Sequence, residues 1–367
     1  MPRFEFSFIT REEILTSPGG REMIQAIDHP SSEKIFILTG CPGSGKTTIS
    51  IHRAAYLETQ KKNFIMLTYG KLLKHSIKKI AEKANLAEGR IDTLMTWYYS
   101  KFRVLMLTND RPVDIDIKSS FSNSHFATEK LDEIIIDEGQ DLWPELYRNF
   151  HLITKNLTIG SDDAQSVYDG RMSTEQILLE ISRNGDDPRR FTLTANFRNP
   201  RRIYDFSKKF LPNALRLNIS QFTKGDGDLP FIYFFKNNEE MIVRLSTIIS
   251  NNEGVNIGIL CEEKYQVDYV FSSISKNSKN ISRYHSTLPI EDIDNVLITT
   301  FKSAKGLEFE VVILPFVERY SERWDSNRRS YYVGCTRAKQ KLFLLCSSPQ
   351  LPPVFNGFES NLYRKIG

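Results

Sequence analysis

The segment IFILTGCPGSGKTTISIHRAAYL, residues 35–57, constrains this chain more than any other. It contains the pattern G-x-x-x-x-G-K-[ST] through Gly40, Gly45, Lys46 and Thr47. A strand-like apolar run precedes the pattern and a helix-like run follows it, which is the context that a phosphate-binding loop requires. The segment therefore predicts an α/β fold in which a strand passes into a helix through an anion-binding turn.

The residue types of this loop explain how it would hold phosphate. Glycines let the backbone approach the anion closely, so that N–H groups and the helix N-terminus face it. Lys46 is expected to reach the β- and γ-phosphates of a triphosphate, and the Thr47 hydroxyl to ligate Mg²⁺. The alternative, a glycine-rich turn with an exposed lysine, is disfavoured by the flanking strand and helix. The predicted phosphate-binding residues are Gly40, Gly43, Ser44, Gly45, Lys46, Thr47 and Thr48.

A second motif, which is acidic, supplies the carboxylate ligand for Mg²⁺ that the phosphate loop lacks. In LDEIIIDEGQD, residues 131–141, Asp137 and Glu138 directly follow an isoleucine run. Carboxylates at the C-terminal end of a strand lie where α/β sheets bind ligands. We expect Asp137 to hold the Mg²⁺ shell and Glu138 to take the proton from an attacking water. The alternative, a solvated acidic turn, loses weight because the phosphate loop is present.

Apolar runs recur along the whole chain and indicate two domains. Five strand-like runs precede the polar segment SQFTKGDGDLP, residues 220–230, and five follow it, with helix-like stretches between them. This alternation predicts two α/β domains with mostly parallel sheets, spanning residues 1–219 and 231–367, joined by a linker at 220–230. Residues 107–130 read as a loop or a small insertion in the first domain.

Composition excludes some classes of protein and leaves others open. A net charge of +4 permits an anionic partner such as nucleic acid without requiring one. The four cysteines form no C-x-x-C pair, so they are expected to be reduced thiols in a cytoplasmic protein. The N-terminus does not resemble a secretory signal, and no apolar run is long enough to span a membrane.

The sequence resembles the superfamily 1 helicases of the UvrD/PcrA/Rep type. The Asp-Glu-Gly-Gln-Asp sequence resembles motif II of that family, and further matches follow in the family's order along most of the chain. They are GSDDAQSVYDG (160–170, motif III), LTANFRNP (193–200, motif IV), TFKSAKGLEF (300–309, motif V) and YYVGCTRAKQKLFLL (331–345, motif VI). The resemblance implies two tandem RecA-like P-loop NTPase domains, with ATP and Mg²⁺ held at the cleft between them.

Roles in ATP hydrolysis follow from the resemblance, residue by residue. Gln25 would read the adenine edge and Phe197 would stack on the base. Gln165 would sense the γ-phosphate or orient water. Arg198, from the first domain, and Arg337, from the second, resemble the two arginine fingers, a role that suits a permanently charged, bidentate guanidinium.

Two residues of motif V complete the nucleotide site that the resemblance implies. Gly306 would approach the γ-phosphate, and Glu308 resembles the acid that contacts the ribose. Ordinary alternatives remain for three of these side chains: a surface ion pair for Arg198, a solvated position for Glu308 and a core position for Phe197.

The contacts to a nucleic-acid strand would come from other motifs. LTYGKLL resembles motif Ia, in which Thr68 would touch phosphate and Tyr69 would stack on a base. DTLMTWYY loosely resembles motif Ib, with Thr93 and Trp97 as weaker candidates. Lys302 stands where the family usually has a histidine. A core position is the alternative for Tyr69 and Trp97.

The chain departs from the family in length and in its strand-binding detail. Motif III lacks the expected tryptophan after Val167-Tyr168. About thirty residues separate Trp97 from the motif II strand, and the second half is equally short, so neither inserted domain of the family fits. The sequence therefore predicts a pair of nearly bare motor domains that translocates, remodels protein–nucleic-acid complexes, or unwinds with a partner.

These observations lead to one principal functional hypothesis. We predict an ATP-dependent DNA helicase or translocase that moves on single-stranded DNA, 3′ to 5′ by analogy with the family, with RNA as a variant track. The alternative is a nucleotide-driven switch subunit that recruits an effector such as a nuclease, since the chain has no nuclease motif of its own. A small-molecule kinase fits worst because it has no use for motifs V and VI.

Overall fold

The computed structural model describes residues 8–30, 34–106, 114–168, 172–275, 280–287, 293–321 and 325–366. Its internal contacts divide the chain into two compact units, with the boundary between Ala195 and Asn196. We call them the N-terminal unit and the C-terminal unit and describe each by itself. Among the described residues, none of the helices combines the length and the apolar character needed to cross a bilayer.

A parallel sheet forms the centre of the N-terminal unit. Its strands stand in the order β3-β2-β4-β5-β1-β6, and every adjacent pair is parallel. The first five strands carry mostly buried residues because helices cover both faces of such a sheet. The strands are β1 (Ile35–Gly40), β2 (Phe64–Thr68), β3 (Ile91–Thr93), β4 (Leu131–Ile136), β5 (Thr154–Ser161) and β6 (Arg189–Leu193).

Helices connect these strands and supply the rest of two apolar clusters. They are α1 (Arg11–Thr16), α2 (Gly20–Ile27), α3 (Lys46–Thr59), α4 (Lys71–Lys83), α5 (Leu94–Phe102), α6 (Asp114–Ser122), α7 (Pro144–Asn149) and α8 (Thr174–Ser182). One cluster lies under α5 to α8 and the other under α3 and α4. The carboxyl ends of β1, β4 and β5 therefore meet at one edge of the sheet, where ligands bind in this class of fold.

The segment predicted as a loop or insertion at 107–130 is mainly helical where it is described. Helix α6 occupies its centre, and Ile117 and Phe121 on that helix are fully buried in the core. The prediction missed the helix because Asp, Ser and Asn dominate the local sequence, and these residues favour caps and turns. Burial of two large apolar side chains outweighs that local preference. Residues 107–113 lie outside the described residues.

The C-terminal unit contains a seven-stranded sheet in the order β11-β12-β10-β13-β14-β9-β15, again with all adjacent strands parallel. Its strands are β9 (Phe231–Phe234), β10 (Ile257–Cys261), β11 (Ile281–Tyr284), β12 (Val296–Thr300), β13 (Phe309–Leu314), β14 (Ala338–Cys346) and β15 (Arg364–Ile366). Its helices are α9 (Arg201–Ser207), α10 (Asn238–Ser250), α11 (Lys264–Ile274) and α12 (Asp325–Cys335). The short strands β7 (Ala195–Asn196) and β8 (Gln221–Phe222) pair with each other. The two parallel sheets confirm the predicted α/β class.

The unit boundary differs from the domain boundary that the sequence suggested. Residues 196–219, which we had assigned to the first domain, make their contacts within the C-terminal unit. The predicted linker at 220–230 is folded there too, because the backbone N–H groups of Arg201 and Arg202 donate to the carbonyls of Gly225 and Asp226. These bonds satisfy the otherwise open N-terminus of α9.

Candidate active site

The phosphate loop joins β1 to α3 in the N-terminal unit and requires glycine at two positions. Gly43 and Gly45 have φ angles of 76° and 99°, in the left-handed region that side chains other than glycine rarely adopt. A Cβ atom at Gly45 would also lie 2.7 Å from the methyl group of Met23. Helix α2 therefore packs directly against the loop through Met23.

Lys46 lies folded over the loop that precedes it. Its side chain is 7% exposed, and Nζ donates to the carbonyl oxygens of Gly40 at 2.6 Å and Cys41 at 3.0 Å. The same nitrogen is 3.7 Å from the carboxylate of Asp162. The ammonium group is thus held at the carboxyl end of β1, where the loop would place phosphate.

Thr47 and Asp137 form the contact expected of a magnesium site. The Thr47 hydroxyl donates to both carboxylate oxygens of Asp137, at 2.9 and 3.2 Å, and Asp137 is 1% exposed. A hydroxyl and a carboxylate are oxygen ligands of the kind that Mg²⁺ prefers when it also binds substrate phosphates. Ser44 Oγ in the loop is buried and, within the described residues, makes no hydrogen bond. These groups fit Mg²⁺ and a phosphate.

Glu138 has an unusual backbone and a defined side-chain partner. Its φ and ψ angles, 61° and 50°, place it in the left-handed region, which costs a non-glycine residue of order 1 kcal/mol and is often found at functional sites. Gln140 Nε2 donates to the Glu138 carboxylate at 2.6 Å, while Gln140 Oε1 accepts from the backbone N–H of Asp162 at 3.0 Å. Gln140, which we had not singled out, therefore links motif II to the end of β5.

Asp162 lies at the centre of the motif III turn and has a perturbed pKa. It is 4% exposed and accepts hydrogen bonds from the side chain of Gln165 at 2.7 Å and the backbone of Ala164 at 3.1 Å. Burial raises the pKa of Asp162, and the nearby Glu138 charge adds to the rise, although Lys46 and Gln165 oppose it. Gln165, a predicted catalytic residue, thus lies in hydrogen-bond contact with the acid that faces Lys46.

A buried ion pair links α3, β4 and the end of α2. Arg53 on α3 makes two hydrogen bonds to Glu133 on β4, at 3.0 and 2.7 Å, and both side chains are 1% exposed. Thr158 on β5 donates to the same carboxylate, and Arg53 also donates to the carbonyls of Ile27 and His29 at the end of α2. The loop helix, the motif II strand and α2 are therefore joined by one polar network. Sequence reasoning missed it, since Arg53 and Glu133 are 80 positions apart.

The predicted adenine reader and the predicted strand-contact residues have different environments. Gln25 is on the exposed side of α2, the helix that contacts the loop. Thr68 is buried at the end of β2. Tyr69 is half-buried, and its ring meets Trp143 and Tyr168 edge-on, with centroid distances of 5.7 and 5.1 Å.

The two weaker strand candidates have structural roles. Thr93 caps the N-terminus of α5 by accepting a hydrogen bond from the backbone of Thr96. Trp97 is 3% exposed and packs against Phe102 and Phe126 in the core. The core alternative for Trp97 is therefore the one observed, and its indole cannot stack on a base in this arrangement.

Arg337 is fully enclosed in the C-terminal unit. It is 1% exposed, Nε donates to the carbonyl of Val333 at 3.0 Å, and Nη1 donates to the carbonyl of Leu307 at 3.3 Å. The motif VI arginine is thus bonded to the motif V loop, where Gly306 has a φ of 80°.

Arg198 belongs to the same unit as Arg337, which corrects the expectation that it comes from the other domain. Its Nε donates to Glu308 at 2.9 Å, and Lys339 Nζ lies 3.6 Å from the same carboxylate. Burial raises the pKa of Glu308, but the charges of Arg198 and Lys339, with a further contribution from Arg337, outweigh it and hold the pKa below its ordinary value.

Two asparagines explain why this turn belongs to the C-terminal unit. Asn196 Oδ1 accepts from the backbone N–H groups of Arg198 and Asn199, at 3.0 and 2.8 Å, and so forms the turn. Asn199 Nδ2 then donates to the carbonyls of Thr336 and Ala338, at 3.0 and 2.7 Å. The half-buried Phe197 is carried on the same turn. The asparagines flank Phe197-Arg198 in the motif, which is the signal that could have revealed them.

Lys302 is exposed on the motif V turn near an acidic residue. Burial raises the pKa of Glu262, and Lys302 partly opposes that rise. The hydroxyl of Tyr331 donates to Glu262 at 3.1 Å. Lys302 therefore lies close enough to Glu262 to influence its charge.

Comparison with known proteins finds a matching family model in each unit. A family model described as an AAA domain matches residues 23–171, and a model described as the UvrD-like helicase C-terminal domain matches residues 277–348. The RecBCD enzyme subunit RecB of Chlamydia pneumoniae is 38% identical over 79 residues, which is 20% of this chain and 8% of RecB. R568 of Acanthamoeba polyphaga mimivirus, named as an ATP-dependent DNA helicase, is 23% identical over 250 residues, which is 58% of this chain and 34% of that protein.

A solved structure gives a weaker match. The C-terminal domain of a possible DNA helicase from Lactobacillus plantarum WCFS1 is 21% identical, covers 46% of this chain and 98% of that chain, and has a TM-score of 0.38, too low to establish a shared fold. The chain spans 34% or less of the length of the curated relatives named above. The two family models match the parts of the chain that contain the phosphate loop and motifs V and VI, and with the helicase relatives they support a UvrD-like superfamily 1 helicase.

Proposed function

We propose that this protein is an ATP-driven DNA translocase or helicase that moves on single-stranded DNA, in the 3′-to-5′ direction. The observation that carries the proposal is the contact of Thr47 with Asp137 at the carboxyl edge of the sheet, beside Lys46. A phosphate loop joined to a buried acid in this way is the arrangement that magnesium-dependent NTP hydrolysis requires.

The residues of the N-terminal unit would divide the work of hydrolysis. Thr47 and Asp137 would hold Mg²⁺, which neutralises phosphate charge when bound. The Lys46 side chain is long enough to exchange its hydrogen bonds to the carbonyls of Gly40 and Cys41 for contacts with the phosphates. Glu138 would accept the proton of the attacking water, and Gln140 fixes the direction of its carboxylate.

The arginines of the C-terminal unit would act as the fingers in this proposal. Arg337 would stabilise charge on the transferred phosphoryl group, with Arg198 as a second donor. Glu308 would contact the ribose, Gly306 would approach the γ-phosphate, and Phe197 would stack on the base that Gln25 reads. The lowered pKa of Glu308 supports the part given to it, because the carboxylate is ionised at neutral pH.

Strand binding is proposed on the side of motifs Ia and III. Tyr69 and Tyr168 present adjacent half-buried rings, which suits stacking on bases at roughly 1–3 kcal/mol per base. Thr68 and Lys302 would contact phosphate. Tyr168 follows the turn that contains Asp162. A base that displaces the tyrosines would therefore also shift Asp162, the acid that faces Lys46.

A second candidate function is a switch subunit within a larger assembly. Stretches of this chain are similar to RecB, which is named as a subunit of an enzyme. In that role ATP binding would change the affinity for an effector, such as a nuclease, with little movement along a strand. It requires the same nucleotide site and differs in its response to DNA.

The decisive experiment is an ATPase assay with single-stranded DNA, duplex DNA and RNA, beside Lys46→Ala. We expect hydrolysis to rise with single-stranded DNA and to vanish in the variant. Hydrolysis that ignores every single strand, while still depending on Lys46, would exclude the translocase and favour the switch. A fluorophore placed at either end of the strand then reports the direction of travel by the time at which its signal changes.

A further inference from the structure

Helix α4 carries a charge equal to that of the whole molecule. It contains five lysines and one glutamate, a formal net charge of +4, and the complete chain also has a formal net charge of +4. The rest of the chain therefore balances, with 44 basic and 44 acidic residues. Such a concentration on 13 residues makes α4 a strong local attractor for a polyanion.

The helix is amphipathic, so its charges are collected on one side. Leu72, Leu73 and Ile77 face the core and are buried, whereas Lys71 and Lys79 are exposed. Lys71 and Lys78 are two turns apart, or about 10 Å along the axis. Together with Lys74, which follows Lys71 by three residues, they form a row whose length suits two or more successive phosphates.

Acidic residues lie beside two of these lysines. Lys74 is paired with Asp92 on β3, and Lys79 lies 3.4 Å from Glu82 on the helix itself. No acidic residue stands in the first turn of α4, and its N-cap is Gly70, so the helix dipole adds to the positive potential at that end.

The position of α4 connects it to the proposed strand site. The helix begins two residues after Tyr69, at the carboxyl edge of the sheet. Its outward residues are lysines, a histidine and a glutamate, with no Phe, Tyr or Trp among the 13 residues. A surface that offers charge without stacking platforms suits a duplex, whose bases are already stacked, better than a single strand.

We propose that the outer face of α4 binds the phosphate backbone of duplex DNA that adjoins the single strand at Tyr69. The inference rests on the proposed function, because it adds a duplex arm to that single-strand site. It also gives the chain a duplex contact within its own motor unit, which matters because the sequence has too few residues for the family's inserted domains.

The test compares two ligands: an oligonucleotide, and the same oligonucleotide extended by a duplex arm. In the wild type we expect tighter binding of the tailed duplex and a steeper loss of its affinity with salt. The variant Lys71→Gln/Lys78→Gln/Lys79→Gln removes three charges, so its salt slope on the tailed duplex should be smaller by about 2.7. Between about 50 and about 200 mM salt, the affinity advantage of wild type over variant should then shrink about fortyfold.

A matched control removes three lysines from the opposite edge of the same sheet. Lys34, Lys62 and Lys155 are exposed and lie at the amino ends of β1, β2 and β5. Their replacement by glutamine should leave the preference for the tailed duplex in place. Thermal melting of both triple variants checks that each is folded.

Each outcome separates this inference from the proposed function. Equal affinity and equal salt dependence of the wild type for the two ligands would overturn the duplex contact without any variant. An equal loss of affinity for both ligands in the α4 variant would also overturn it, since α4 would then bind the single strand. A wild type whose ATP hydrolysis ignores single strands would instead refute the translocase.

Discussion

At the carboxyl edge of the N-terminal sheet, a lysine is surrounded by acids, whereas in the C-terminal unit an acid is surrounded by cations. Lys46 lies 3.7 Å from Asp162, which follows β5, and Asp137 and Glu138 follow β4 on the other side of β5. Glu308, by contrast, is bonded to Arg198 and flanked by Lys339.

The pKa values of the two central carboxyl groups express this contrast. That of Asp162 is raised and that of Glu308 is lowered, although burial acts in the same direction on both. Burial sets the sign at Asp162, whereas at Glu308 the charges of Arg198 and Lys339 outweigh burial. The proposed function gives these two clusters different tasks, with the acids of the N-terminal unit holding Mg²⁺ and the cations of the C-terminal unit stabilising phosphate charge.

The largest effect on activity should come from the cation-rich group of the C-terminal unit, which consists of Arg198, Arg337 and Lys339 around Glu308. Arg337→Ala should lower the kcat of ATP hydrolysis by ~10³–10⁵, the range for loss of an arginine finger. Arg337→Lys should not rescue it, because an ammonium cannot reproduce the guanidinium fork. Steady-state kinetics with saturating single-stranded DNA measure this.

A matched arginine in the same unit provides the control. Arg244 is exposed and stacks over Tyr233, so Arg244→Ala should leave kcat nearly intact. An Arg337→Ala enzyme that keeps wild-type kcat would show that the cation-rich group serves structure alone.

The next effect concerns stability and contrasts a buried pair with a partly exposed one. Arg53→Met leaves Glu133 charged and enclosed, which should lower the free energy of unfolding by ~3–5 kcal/mol. Adding Glu133→Leu should restore much of that loss, since an apolar pair needs no compensation. Arg198→Ala, whose pair is 13% and 37% exposed, should cost at most ~1 kcal/mol.

Urea unfolding followed by circular dichroism measures all three variants. Equal losses of unfolding free energy for Arg53→Met and Arg198→Ala would mean that burial does not determine how much each ion pair contributes to stability. A double variant no more stable than Arg53→Met would point to packing rather than charge as the cause.

A smaller effect should follow from loosening the acid-rich group. Gln140→Met removes the hydrogen bond that directs Glu138, and a misdirected base should lower kcat by ~10²-fold. KM for ATP should change little, because Gln140 contacts neither Lys46 nor Thr47 in the described contacts. A change confined to KM would assign Gln140 to binding.

The smallest effect is a pair of opposite pH dependences. The lowered pKa of Glu308 means that its stabilisation is present above the ordinary value of 4.5 and is lost as pH falls through the folded-state value. Relative to Glu308→Gln, the wild type should therefore lose stability on acidification, by at most ~1 kcal/mol.

The raised pKa of Asp162 gives the reverse sign. Its ionised form is disfavoured in the folded protein, so the wild type should gain stability relative to Asp162→Asn as pH falls through the raised value. Unfolding curves between pH 3 and 7 compare the two pairs. Slopes of the same sign would refute the contrast between the units.

The sequence was sufficient for the parts of the fold that follow from local pattern. Ten apolar runs correspond to ten strands, and the contact of Thr47 with Asp137 follows because parallel strands end at one edge. Five of the described strands were missed, β3, β7, β8, β11 and β15, since each has only two to four residues and lacks the continuous apolar run of the four-residue β9. Trp97 shows a related limit: a motif position does not reveal whether a ring faces solvent or core.

Long-range hydrogen bonds account for the remaining differences. The assignment of Arg198 to the first domain was wrong because Asn199 bonds to Thr336 and Ala338, 137 and 139 positions away. The pairing of Arg53 with Glu133 and the bridge made by Gln140 depend on the same kind of tertiary register. Side-chain bonds of this length have no periodic signal in a sequence.

The contact between Met23 and Gly45 bears on how fragments of this protein should be cut for biochemical work. The AAA family match begins at residue 23, so a fragment trimmed to that match would start inside α2, with Met23 as its first residue. A frayed terminus cannot support the loop, and such a fragment should bind ATP more weakly than the intact chain. A start ahead of Thr10, which caps the helix preceding α2, keeps that support in place.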